Sequence, residues 1–267
     1  MKVNNPEESK LLVKAKATYY RDFVRIWIPD QPYLHIPEGI ESKPRNAVAT
    51  RIDSDEDTIL YETNLERSLR RTKKTIKDYV HMNDFDWFMT FTFATERFND
   101  KRSRQKMATW LRNQRKRNGK FRYVIVAERH KNGALHFHGL VGGYEGQLTY
   151  AINPHTGHKI PDGRGDYVYN LVEFKLGHTT VKKITDNIRS VLYLLKYVTK
   201  ENITEFGKNR YWASKNLSRP QIEENPQPFY KQLEADRHYV LDHGTILEFD
   251  KNKHELIDIF IEAHQNE

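Results

Sequence analysis

The sequence predicts an α+β protein in which helices pack on an antiparallel sheet. Three observations lead there. Trp87–Phe93 alternates phenylalanine with threonine, the period-two pattern of a strand with one buried face. Asn132-Gly133 separates two more strand-like runs, 121–128 and 134–141, and marks a hairpin. Helical stretches interleave with these strands, but without the long crossovers a parallel sheet requires.

The elements follow in chain order. Residues 11–29 read as one or two strands ending at Pro29. Residues 30–62, rich in Pro, Asp and Glu, read as loop with a short strand near 58–61. Thr63 and Glu66 form a capping box, so a helix is expected from there to about His81, with Leu65, Leu69, Ile76 and Val80 inward. Its outer face carries Arg67, Arg70, Arg71 and Lys74, a solvated surface or a phosphate-tracking one. A basic helix is expected over 101–117, with Met107, Trp110 and Leu111 inward and Lys101, Arg102 and Arg104 offered to phosphates. A polar excursion fills 142–166, and 167–174 with 179–184 reads as another hairpin. Asp186 caps a helix expected to reach Glu201. Its apolar stripe would be Ile188, Val191, Leu192 and Leu195, with Tyr193 and Tyr197 one turn apart on roughly the opposite side, flanked by Lys196 and Lys200. A strand at 238–249 and a helix at 253–264 complete the chain. The expected organisation is an N-terminal extension (1–62), a central domain (63–201) and a C-terminal extension (202–267), or one compact unit.

The chain has 267 residues, enough for a sizeable core, and a net charge of +8. That balance suits nucleic acid, where each phosphate contact gains from counterion release. Cysteine is absent, which excludes disulfides and thiolate metal sites. No apolar run approaches the ~18 residues of a membrane span, and the polar N-terminus is unlike a signal peptide. A cytoplasmic protein without membrane association is expected.

His136-Phe137-His138 carries the chemistry. Two histidines one residue apart on a strand share a face, and with a carboxylate in reach they can hold a divalent metal. The hairpin register decides which carboxylate. A two-residue loop puts Glu128 on the wrong face. A three-residue loop, with Gly133 in the left-handed position, sets Glu128 opposite His136. His130 falls on the same face as the alternative third ligand. A metal beside a positioned tyrosine is equipment for breaking a phosphodiester bond and keeping the broken end.

Together these segments resemble the HUH endonucleases, and within them the rolling-circle replication initiators of bacteriophages, plasmids and small single-stranded DNA viruses. Phe88–Phe93 is similar to their first motif. His136-Phe137-His138 resembles their metal motif, with Glu128 eight residues ahead. Tyr197-Val198-Thr199-Lys200 resembles their Tyr-x-x-Lys motif, and Tyr193 matches the two-tyrosine phage type. The resemblance implies a sheet of about five strands with ferredoxin-like or RRM-like topology. It implies metal-dependent nicking of single-stranded origin DNA, presented as a hairpin, with a 5′-phosphotyrosine link and later rejoining. Glu128, His136 and His138 would hold magnesium or manganese. Tyr197, Tyr193, Lys200 and Lys196 would be catalytic, and Thr90 and Thr92 would touch DNA. No Gly-x-x-x-x-Gly-Lys-Ser/Thr loop is present, so ATP is not expected, and unwinding and synthesis would fall to a host helicase and polymerase. A relaxase or single-stranded DNA transposase would use the same chemistry. A non-catalytic origin-binding protein would need only the basic faces.

Overall fold

The computed structural model describes residues 11–12, 15–30, 33–34, 55–199, 211–224, 226, 231 and 233–254. In chain order the elements are β1 (Leu11–Leu12), β2 (Lys16–Tyr19), β3 (Phe23–Pro29), β4 (Tyr33–Leu34), α1 (Asp55–Met82), β5 (Trp87–Phe93), α2 (Asp100–Arg117), β6 (Arg122–Arg129) and β7 (Leu135–Gly142). There follow β8 (Leu148–Tyr150), β9 (Tyr169–Leu171), β10 (Gly177–Lys183), α3 (Asn187–Leu195), β11 (Tyr211–Ala213), β12 (Gln221–Glu224), β13 (Arg237–Leu241) and β14 (Gly244–Asp250). The architecture is α+β, with antiparallel sheets of seven and five strands and a short β1–β4 pair. No helix among the described residues is long and apolar enough to cross a membrane.

The chain divides into a central unit, Arg51–Ser218, and a terminal unit assembled from Met1–Thr50 and Arg219–Glu267. The central unit holds the seven-stranded sheet, in the order β11-β6-β7-β5-β10-β9-β8. Its period-two strands give it two apolar faces. One face presents Phe91, Phe93, Ile125 and Phe137 to Met107, Trp110 and Leu111 of α2. The other presents Val124, Val126 and Leu140 to Ile76 and Val80 of α1 and to Val191, Leu194 and Leu195 of α3. Asn99 caps α2 by accepting the Arg102 N–H at 3.1 Å, and Asp186 caps α3 by accepting that of Arg189 at 3.0 Å. In the terminal unit the order is β12-β2-β3-β14-β13, so strands from both chain ends alternate in one sheet. Ala17, Val24, Ile26 and Phe249 form its core, and buried Glu248 accepts from Arg25 Nε and Nη2 at 2.8 and 2.6 Å.

Several expectations are corrected. The strand near 58–61 is helix, and α1 begins at Asp55, so Thr63 and Glu66 lie inside it. Asp55, Glu56 and Asp57 in the first turn favour the positive end of the helix dipole, which overrides the local capping pattern. The sheet has seven strands because the excursion supplies β8 at one edge and Tyr211–Ala213 supplies β11 at the other. The single strand expected at 238–249 is the hairpin β13–β14, turned around Asp242 and His243. The expected helix at 253–264 lies outside the described residues from 255 onward.

At the end of β7, a Cβ added to Gly142 would stand 2.2 Å from the backbone oxygen of Asp84. Backbone cannot swing aside as a side chain can. Gly142→Ala is therefore expected to destabilise the central unit by about 1–3 kcal/mol, the usual cost of overpacking. A lowered thermal midpoint checks this; an unchanged midpoint would show that the 84–85 segment yields freely.

Candidate functional site

The β6–β7 hairpin sets the site. The His130 amide donates to Ala134 O, and the Gly133 amide to His130 O, both at 2.8 Å. That leaves a three-residue loop, 131–133, with Gly133 at φ +84°, the left-handed conformation that suits glycine. The loop places Glu128 opposite His136 and Val126 opposite His138. His136 and His138 therefore emerge on the face that carries α1 and α3, with Glu128 beside them.

Each imidazole is gripped from β5. Thr90 Oγ1 lies 3.1 Å from His138 Nδ1, and Thr92 Oγ1 lies 3.3 Å from His136 Nδ1. Thr90 and Thr92, expected to touch DNA, are placed to orient the two histidines. His138 Nε2 meets Glu128 Oε2 at 2.7 Å. That contact needs a proton between its two atoms. The His130 ring stacks on His136 with centroids 5.0 Å apart, so both candidate third ligands adjoin the pair.

Charge in this cluster is mutually adjusted. Burial opposes ionisation of Glu128, but the His138 hydrogen bond and the imidazoles of His138, His136 and His130 outweigh it and hold the carboxyl below its usual value. Burial, then His130 and His138, depress the His136 imidazole despite Glu128. A charged carboxylate and a neutral imidazole are the ligand states a divalent cation requires. With the threonines on the Nδ1 atoms, Nε2 is left as the donor of each ring. The donor chemistry thus fits. Among the described residues, however, no three His, Asp or Glu side chains are already arranged around a common ion position. A cation would displace the proton shared by Glu128 and His138.

The two depressed groups act on stability in the same direction. Glu128 stabilises the fold above its unfolded value near 4.5 and loses that contribution as pH falls through its lower folded value. Unfolded His136 takes a proton below about 6.5 that the folded form resists. In chelator, stability of the central unit is therefore expected to decline from pH 7 to pH 4, and the Glu128→Gln, His136→Gln double variant to decline less. Parallel pH profiles for the two proteins would contradict this.

Helix α3 brings the tyrosines. It ends at Leu195 instead of running to Glu201, and the chain tightens there: Tyr197 N–H donates to Leu194 O at 3.1 Å and Val198 N–H to Leu195 O at 3.2 Å. The buried stripe is Val191, Leu194, Leu195 and Val198, so Ile188 and Leu192 face outward. The Tyr197 ring stacks on His138, with centroids 3.8 Å apart and planes 5° apart. Tyr193 meets Tyr197 edge-on at 5.5 Å, is 46% exposed, and has Lys196 Nζ 5.3 Å from its ring. Burial, the hydrogen bond with Tyr193 and the nearby Glu128 together push the Tyr197 phenol well above its ordinary pKa. Lys200 lies outside the described residues.

Beside the tyrosines opens a groove of about 610 Å³ that sequence reasoning missed. Arg164, from the excursion, and Lys182, Lys183, Arg189 and Lys196 give it positive charge, while Phe88, Leu192 and Tyr193 give it apolar surface. These residues come from four separate stretches of chain, so no local motif announces them. Of the other basic candidates, Arg67, Arg70, Arg71, Lys74, Lys101 and Arg102 are exposed, with Lys74 paired to Asp78 at 2.7 Å and Arg102 to Glu96 at 3.0 Å. Arg104 differs: its guanidinium lies 4.8 Å over the Trp212 ring, packed on β11.

Residues 86–202 match a family model for replication-associated proteins of the ORF2 type. The matched stretch begins just before β5 and contains both histidines, Glu128 and both tyrosines. No curated protein and no solved structure matches the chain.

Proposed function

We propose that the protein initiates rolling-circle DNA replication by nicking a single-stranded origin and holding the cut end on a tyrosine. One observation carries the reading: the Tyr197 ring lies against His138, which is itself hydrogen-bonded to Glu128. A nucleophile and a set of metal-ligand groups thus share one contact, inside the stretch similar to replication-associated proteins.

Glu128, His136 and His138 would hold a divalent cation, with His130 as the alternative third donor. Magnesium or manganese, when bound, would supply positive charge to a non-bridging phosphate oxygen. The groove receives the strand, since its cations suit phosphates and its apolar surface suits unstacked bases. Tyr197 Oη attacks phosphorus, forming a phosphotyrosine bond and breaking the bond to the 3′ oxygen. The phenol's proton is balanced by the proton gained by the departing 3′-hydroxyl. Because the link keeps the energy of the broken bond, a later hydroxyl attack reseals the strand. Lys196, and Lys200 in the Tyr-x-x-Lys pattern, favour the phenolate and the crowded phosphate charge. Tyr193 serves the second transfer.

The test is incubation of the protein with a labelled single-stranded library, with manganese or magnesium and then with chelator. The expected products are a free 3′-hydroxyl fragment and a protein-linked 5′ fragment, both lost in chelator. DNA bound but neither cut nor linked would replace this reading with that of a non-catalytic origin-binding protein.

A further inference from the structure

A second groove, of about 690 Å³, lies on the opposite face of the seven-stranded sheet, between α2 and the chain at 173–176. Arg102, Lys106, Thr109, Asn113 and Arg117 line it from α2. These positions recur at helical spacing, so they form one stripe along almost the whole helix. The stripe spans about 22 Å, the rise of roughly six base pairs. Lys175 faces it from the other wall.

Both acids of the groove are already engaged. Glu96 pairs with Arg102 at 3.0 Å. Glu173 accepts from Tyr144 Oη at 3.3 Å and from the Gln147 amide at 2.9 Å. Lys106, Arg117 and Lys175 have no ion-pair partner among the described residues. The groove also lacks what a single strand needs: its one aromatic, Trp110, is only 7% exposed and offers no face for a base to stack on. The groove beside Tyr193 offers such faces; this one offers only charge and hydrogen-bonding side chains along a straight rod.

We infer that the α2 groove binds the phosphate backbone of duplex DNA, gripping a double-stranded arm independently of the His136–His138 face. It reads no sequence, because phosphate contacts set position and not base identity. Its role beside a nicking site rests on the proposed function above, but duplex binding itself can be measured without cutting.

The experiment compares the full chain with a Lys106→Gln, Arg117→Gln, Lys175→Gln variant on two probes, a blunt duplex and an unstructured single strand, over a range of salt. For the duplex, the slope of log K against log salt is expected to fall in magnitude by about 2.7, since each neutralised phosphate accounts for about 0.9. Single-strand binding should be unchanged, which also shows that the variant is folded. A Lys106→Arg, Lys175→Arg variant should keep the wild-type duplex slope. An unchanged duplex slope in the triple variant, or an equal loss on both probes, overturns the inference. Absence of cutting in every protein, with the duplex slope still altered, would remove the nicking reading and leave this one standing.

Discussion

Tyr197→Phe is expected to abolish covalent protein–DNA adducts and to slow cutting by about 10³-fold or more, the scale on which removal of a covalent nucleophile acts. The substitution keeps the ring, so the stacking on His138 survives and the loss reports on Oη alone. Tyr193→Phe should behave differently. Burial raises the Tyr197 phenol first, and the Tyr193 hydrogen bond raises it further. Removing the Tyr193 hydroxyl should therefore make Tyr197 more acidic and move the pH profile of first cleavage to lower pH, while impairing the second transfer. Adduct mapping by mass spectrometry decides between the two residues. Adducts on Tyr193 alone would exchange their roles; adducts on neither would end the enzymatic reading.

The second large effect is expected at His138. It is 6% exposed and touches Tyr197, Glu128 and Thr90 at once. His138→Ala removes a proposed ligand, leaves the Glu128 carboxylate without its partner and takes away the surface on which Tyr197 rests. Metal-dependent cutting should fall below detection. Thr90→Val, which removes only the group orienting the imidazole, should cost about 10–100-fold, the range typical of partners behind a metal ligand. Cutting by His138→Ala at the level of Thr90→Val would mean that His138 contributes structure alone.

The parts of the site that follow from local rules were legible in the sequence. Trp87–Phe93 reads as a strand because period two is written in its phenylalanines and threonines. The β6–β7 register follows once Gly133 is placed in the left-handed turn position, since a one-residue slip would turn Glu128 away. Where tertiary packing decides, the sequence was ambiguous. Helix α3 is apolar almost all round, so stripes through Leu192 or through Leu194 satisfy helical spacing equally; the sheet face selects Leu194 and leaves Leu192 51% exposed. Residues 58–61 carry β-branched and aromatic side chains that favour a strand locally, yet they lie within a 28-residue helix. Thr90 and Thr92 could be placed on the right face but not assigned a partner, because their bonds to His138 and His136 span 48 and 44 residues of sequence.

The sheet shared by the two chain ends bears on how the protein is made. Arg25 of β3 meets Glu248 of β14 across 223 positions, whereas every strand of the central sheet lies within one continuous stretch. At a ribosomal rate of about 5–20 residues per second, β3 waits roughly 10–45 s for its partner to be synthesised. The site-bearing unit can complete its sheet during that interval. The β2–β3 hairpin meanwhile has an unpaired edge, making it the segment of the nascent chain most in need of protection.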